Sequence, residues 1–304
     1  MPTPAFYETD RVGRFYLART GQAVAEGLAA GLPAAKADDR KVLLLLVDAQ
    51  VDFVHTDGAL SVPGAVGDTR RTIDWIFDHA AQITHIAASL DSHLPLHIFF
   101  PIWWVGPDGR HPEPYTAITP DEVDAEQWRP LHEADWSRDY VRQLHSQAKK
   151  DLMIWPFHTL LGSPGHSLTP ALYEAVAYHA AARAYQPSLL TKGTIAKTEY
   201  YSLLEPEVKV PGEPGGELNR AFLDDLLAYD LIYVAGQAMS HCVLETVESI
   251  LRHAEQAAAR LRILEDATSP VQHPTIDFAR LADEAFDRFS ERGVRRVTTA
   301  DPLA

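Results

Sequence analysis

The feature that most constrains this chain is a series of short apolar runs separated by longer amphipathic stretches. The runs are VLLLLV (42–47), ITHIAASL (83–90), DLMIW (151–155), SLLTKGT (188–194), LIYVAG (231–236) and LRILED (261–266). Most are apolar throughout rather than alternating, as strands covered on both faces must be. Between them, helical spacing predicts helices near 67–80, 131–149, 171–185, 216–228, 241–258 and 275–291. Strand and helix in alternation specify an α/β fold with a doubly wound parallel sheet. Ligands in such sheets bind beyond the carboxyl ends of the strands. Chemistry is therefore expected just after each apolar run.

Residues 1–38 precede the first run and are predicted to form a helical extension, with a helix at about 11–30. A stretch rich in Pro, Gly and acids, 104–130, reads as a long loop or lid-like insertion. The body of the fold is then 39–304, with an insertion at about 104–150.

The strand ends carry distinct polar groups. DAQVDF (48–53) follows the first run, DSHLPLH (91–97) the second, WPFH (155–158) the third and TKGT (191–194) the fourth. The fifth leads to Cys242, the only cysteine in the chain. A lone buried cysteine is commonly a small hydrophobe. Cys242, however, opens a predicted helix, where the free N–H groups and the macrodipole favour thiolate. Asp48 and Lys192 each end a different strand. Read alone, the first could be a turn cap and the second a solvated strand end. With Cys242 they describe a Cys–Lys–Asp nucleophile arrangement.

Asp91 and His93 form an Asp-x-His pair, and His158 ends the neighbouring run. One carboxylate with two or three imidazoles suits zinc, manganese or iron, and surface histidines are the bland alternative. His97 fits either as a ligand or as support behind one. Phe53, Trp103, Trp104, Trp155, Tyr200 and Tyr201 are core aromatics or the apolar wall of a pocket for a flat substrate.

Charge and cysteine usage narrow the function class. A net charge of −15 and the lack of a basic stripe argue against nucleic acid or anionic membrane as partner. No run approaches the roughly 20 apolar residues of a membrane span. The first residues have no apolar signal core, and one cysteine makes no intrachain disulfide, so a cytoplasmic protein is expected.

The ordered set DAQVDF, DSHLPLH, WPFHTLLGSPG (155–165), KGTIAKTEYYS (192–202) and VAGQAMSHCV (234–243) resembles the isochorismatase-like cysteine hydrolases, and within them the nicotinamidases. The resemblance runs over roughly residues 40–270 and leaves out the first 38 and the 104–150 insertion. It implies a six-stranded parallel sheet with helices on both faces, a three-layer sandwich. It implies amide hydrolysis through a thioester, with Cys242 as nucleophile, Asp48 as base and Lys192 beside them. It also implies a cis peptide before Ala238 and an oxyanion hole from the Ala238 and Cys242 N–H groups. Asp91, His93 and His158 match the family's metal ligands, zinc first, holding a pyridine nitrogen near the thiol. Phe53, Trp155, Tyr201 and His241 match positions that line its pocket. The family habit is homo-oligomeric.

The sequence departs from the pattern in three places. Thr159 stands where the nicotinamidases often have cysteine, and Met239 and Ser240 alter the loop before Cys242. The expected function is hydrolysis of nicotinamide to nicotinate and ammonia. Three further readings stand beside it: another carboxamide or ureido substrate, water activated by the metal, and a catalytically idle binding protein of the same fold.

Overall fold

VLLLLV forms strand β1 (Val42–Val47), buried along its whole length. Val42, Leu44 and Leu46 join one core, with side chains of helices α2 (Ala65–Asp78) and α4 (Pro170–Arg183). Leu43, Leu45 and Val47 join the other, with helices α5 (Arg220–Leu226), α6 (Leu244–His253) and α7 (Phe278–Glu291). Successive strand residues point to opposite faces, so a strand between two helical layers must be apolar at every position. Each such Leu or Val removed from water contributes about 1.5–3 kcal/mol, which fixes the strand in the middle layer.

The other sheet strands are β2 (His85–Asp91), β3 (Ser188–Lys192), β4 (Leu231–Gly236), β5 (Leu261–Leu264) and β6 (Arg295–Val297). All pair in parallel, in the order β3-β2-β1-β4-β5-β6. The winding reverses between β1 and β4, and this switch point leaves a crevice at their carboxyl ends. Residues 3–148 and 150–303 are described, in a computed structural model. Lys149, at the end of the helix predicted over 131–149, lies outside the described residues, as do residues 1, 2 and 304. Among the described residues no helix is long and apolar enough to cross a membrane.

Two features correct the sequence reading. The run at 151–155 is not a strand of the main sheet. Leu152–Met153 pairs antiparallel with Ala117–Ile118, inside the insertion. It is apolar because the insertion buries it. The sixth strand is instead β6, from a short polar segment with no apolar run to announce it.

The insertion also differs from a loose lid. Trp103 and Trp104 are buried, their indole N–H groups donating to Ser137 Oγ and the Ile98 carbonyl. Helix α3 (Ala134–Gln143) buries Tyr140 and docks through Trp136 on the Lys197 carbonyl. The N-terminal helix α1 is shorter than predicted, Thr20–Ala29, and packs on α4.

Candidate active site

Register builds the site. Val47 pairs with Gly236, so the residues after β1 and β4 leave the sheet side by side. The Gln237 N–H then donates to the Val47 carbonyl at 2.7 Å. Asp91 pairs with Lys192 at the ends of β2 and β3. Asp48 follows β1 directly, and Cys242 lies in a π-helical turn, Met239–Val243, that leads into α6. The peptide between Gln237 and Ala238 is cis, as the resemblance implied. The Ala238 carbonyl accepts the N–H groups of His241 and Val243, which shapes the turn around Cys242.

The structure brings Asp48, Lys192 and Cys242 together. Lys192 Nζ lies 2.9 Å from Asp48 Oδ2, 2.9 Å from Asp91 Oδ1 and 3.6 Å from Cys242 Sγ. It also donates to the Tyr200 carbonyl at 2.6 Å. Asp48 Oδ1 accepts from Ser89 Oγ at 2.6 Å. Asp48 Oδ2 faces Lys192 as an ion pair but off the hydrogen-bonding direction, so that oxygen keeps a lone pair to spare. Asp48 sits at φ 45°, in the left-handed region that Asp tolerates better than most residues.

Burial and charge set the protonation states. Burial disfavours the Lys192 ammonium, but Asp48 and Asp91 outweigh it and hold its pKa well above the usual lysine value. Burial raises Asp48, with Lys192 pulling the other way. Burial also pushes the Cys242 thiol well up, against Lys192 and with the two carboxylates adding to it. This corrects the expectation of a resting thiolate. The helix start and the ammonium do not overcome burial beside two carboxylates. Burial beside the two carboxylates favours the thiol form of the resting sulfur.

Asp91, His93 and His158 form a second buried group whose ligand atoms lie within 4.8 Å of one another. Asp91 Oδ2 is 2.7 Å from His93 Nε2 and 3.5 Å from His158 Nε2. His93 Nδ1 meets the Gly193 carbonyl at 3.0 Å, and His158 Nδ1 the Pro156 carbonyl at 2.7 Å. A carbonyl only accepts, so both Nδ1 atoms carry hydrogen and both Nε2 atoms can present lone pairs. An anionic oxygen and two oriented imidazole nitrogens fit a divalent cation of the zinc type. His97 is not in this group. Its Nε2 donates to the same Gly193 carbonyl at 3.1 Å, and its ring stacks on Phe99. It supports the loop behind His93.

Gly193 has no substitute here. Its φ is +79°, and an added Cβ would lie 2.8 Å from His93 and 3.0 Å from Asp91.

The four rings matched to pocket positions fall into two groups. Phe53 packs edge-on against His158. Trp155 and Tyr201 both pack edge-on against His241, and the Trp155 indole donates to Tyr201 Oη. Burial, with Lys150 and His273 adding to it, lowers His241 to about 3, so its ring is neutral.

Sequence reasoning passed over several contributors. The Gln50 side-chain amide donates to the Asp91 carbonyl and accepts the Asp91 N–H, both at 2.8 Å. Ser89 holds Asp48 and was signalled by being the one hydroxyl in the run IAASL. Asp52 accepts the Thr159 N–H at 2.7 Å, holding the loop that carries His158. Glu199, in KTEYY, is fully buried and is pushed up to about 8 by that burial and the nearby Asp91 charge.

No family model and no curated protein matches the sequence. Solved structures do match the fold. The yeast nicotinamidase bound to the inhibitor nicotinaldehyde superposes with a TM-score of 0.57 at 19% identity, over 84% of this chain and 99% of that one. The Acinetobacter baumanii nicotinamidase/pyrazinamidase gives 0.58 at 18%, over 88% and 100%. The Pyrococcus horikoshii pyrazinamidase in complex with zinc gives 0.51 at 20%, over 85% and 99%. The chain therefore has the α/β fold of these nicotinamidases and pyrazinamidases.

Proposed function

We propose that this protein is a cysteine amidohydrolase acting on a small planar carboxamide, with nicotinamide the first candidate. One observation carries the reading. A single ammonium, Lys192, touches the thiol of Cys242, the carboxylate of Asp48 and the carboxylate of Asp91. A structural ion pair needs no sulfur at its centre, whereas a nucleophile with its base and a charge-balancing cation does.

The chemistry follows from the protonation states. As the Cys242 sulfur attacks the amide carbon, Asp48 takes the thiol proton through its spare lone pair. The carbonyl oxygen becomes an oxyanion facing the Ala238 and Cys242 N–H groups. A donor of that kind is worth about 10²–10³ in rate. Asp48 then gives its proton to the departing nitrogen, the C–N bond breaks, and ammonia leaves a thioester. Water adds to the thioester carbon while Asp48 takes one of its protons. Collapse expels sulfur, which recovers that proton, and the carboxylic acid departs. Lys192 stays charged throughout and offsets the charge that moves between Asp48 and Cys242.

Asp91, His93 and His158 would hold a divalent metal, zinc by preference. When bound, it supplies a Lewis-acid centre for a ring nitrogen and so favours pyridine-type amides. Phe53, Trp155, Tyr201 and His241 would enclose the ring.

Ammonia release from nicotinamide, pyrazinamide, benzamide and a ureido compound tests the proposal, each with and without chelator. Turnover of the pyridine amides that Cys242→Ala abolishes is the expected result. Turnover confined to another amide would favour a second reading, the same chemistry on a different substrate. Met239 and Ser240, beside the nucleophile, favour that reading over metal-activated water or an idle binding protein, because they change the loop next to the substrate and leave Cys242, Asp48 and Lys192 in place.

A further inference from the structure

Outside the residues that the family resemblance covers, aromatic rings continue the pocket wall. Trp155 packs on Tyr115 from the insertion (5.9 Å) and on His241 (5.5 Å). His241 packs on Phe278 at 4.7 Å, Phe278 on His273 at 5.6 Å, and His273 on Tyr115 at 6.2 Å. Five rings thus close a circuit. Two come from the pocket wall, one from the insertion and two from the segment entering α7. The Tyr115 N–H is tied to the Ile154 carbonyl at 2.6 Å, so its side of the circuit is anchored.

His273 is the chemical oddity of this rim. Its Nδ1 accepts the backbone N–H groups of Thr275 and Ile276 at 3.2 and 3.1 Å. In the neutral ring the hydrogen is then on Nε2. That atom is buried and meets no acceptor among the described residues. An unsatisfied buried donor is destabilising and calls for an explanation. A cleft of 520 Å³, lined by His273, Phe278 and Val271 with Pro63 and Pro270, opens beside the rim. No charged residue but Asp277 lines it, and that carboxylate already caps α7 through the Arg280 N–H.

We propose that Tyr115, His273 and Phe278 form a specificity subsite for a substituent on the substrate's ring, in which the His273 Nε2–H donates to a carbonyl or carboxylate oxygen. The inference rests on the amidase reading for the position of the carboxamide at Cys242, and it narrows the substrate class. The preferred amide is an aromatic carboxamide carrying a hydrogen-bond acceptor away from the reacting group. A site built to donate to such a group discriminates against an isostere that leaves the donor unpaired.

The test is calorimetric binding to the Cys242→Ala protein, with metal loaded. The probes are nicotinamide, 5-acetylpyridine-3-carboxamide and its apolar isostere, 5-isopropenylpyridine-3-carboxamide. The acetyl compound is expected to bind about five- to tenfold more tightly than the isopropenyl one. His273→Asn keeps an oxygen for the Thr275 and Ile276 N–H groups but removes the outer donor. It should bring the two to parity, and His273→Gln, which restores an N–H, should recover the preference. Equal affinities at the start, no binding of any probe, or a preference that survives His273→Asn overturns the inference. Ammonia release by the unmutated protein is measured alongside. Absent turnover with a His273-dependent preference refutes the amidase reading and leaves the subsite standing. Turnover without that preference refutes the subsite alone.

Discussion

The Lys192 ammonium lies 3.6 Å from the Cys242 sulfur and is held there by two buried carboxylates, not by solvent. Removing it leaves Asp48 and Asp91 charged and unpaired in the interior. Breaking a buried pair in this way costs about 3–5 kcal/mol. Lys192→Met is expected to lower the melting temperature and abolish ammonia release. Cys242→Ala should abolish release while melting near the unmutated protein, because it removes no charge. Equal melting of the two variants would contradict the arrangement.

Burial holds the Cys242 thiol well above its ordinary pKa, with Asp48 and Asp91 adding to the effect and Lys192 opposing it. The free protein should therefore react slowly with iodoacetamide at pH 7, and faster as pH rises toward the alkaline range. Asp48→Asn removes one of the carboxylates that oppose ionisation. It should speed alkylation at pH 7 while abolishing amide turnover, because the base is gone. Fast alkylation of the unmutated protein at neutral pH would show a resting thiolate and overturn this account.

The metal group and its support separate by substitution. His93→Ala and Asp91→Asn each remove a donor and should lose bound metal, measured by elemental analysis after dialysis. His97→Phe removes only the second donor to the Gly193 carbonyl. It should retain metal stoichiometry and weaken affinity by about 10–100-fold, as loss of an outer partner does. Complete metal loss in His97→Phe would make it a ligand.

Glu199 gives the stability a pH dependence with a definite sign. Its folded pKa is about 8, raised from an unfolded value of 4.5, with burial the main cause. The folded state keeps a proton that the unfolded state gives up between those values. Stability from this group is complete below pH 4.5 and is lost as pH rises to about 8. Glu199→Gln cannot ionise. Relative to the unmutated protein it should gain stability steadily across that window, on the order of a few kcal/mol by pH 8. Denaturant titrations at pH 5 and 8 measure the difference, and a gain equal at both would refute the assignment.

How much of this was legible depends on what each residue must do. Asp48, Asp91, Lys192 and Cys242 stand at the end of an apolar run or a few residues beyond it, and a parallel sheet delivers all its carboxyl ends to one edge, so position in sequence translated into position in space. DLMIW misled because an apolar run reports burial, and Leu152 is buried by the insertion's own ladder rather than by helices on two faces. Arg295–Val297 was silent for the converse reason. An edge strand covered by few neighbours needs no apolar pattern. The thiol's protonation state was misjudged because a helix start is visible in sequence, while two carboxylates converging from other strands are not. Tyr115, His273 and Phe278 carry no motif, and only the folded chain brings them to Trp155 and His241.

Gly236 tests whether the switch point itself holds the site together. It ends β4 at φ +117°, and an added Cβ would lie 2.0 Å from the Val47 carbonyl oxygen and 2.7 Å from the Val47 nitrogen. Both obstacles are backbone, so a methyl there must push β4 away from β1 at the level where Asp48 and Cys242 leave the sheet. Gly236→Ala is expected to destabilise by several kcal/mol and to cut turnover at least 10²-fold even at temperatures where it stays folded, since a misplacement of about 1 Å costs that much. Gly21→Ala is the control. It lies in helix α1 with nothing within 4 Å of the new methyl, so it should be neutral or stabilising by up to about 1 kcal/mol. If Gly236→Ala folds and turns over like Gly21→Ala, the close approach of β1 and β4 is not what sets the distance between base and nucleophile.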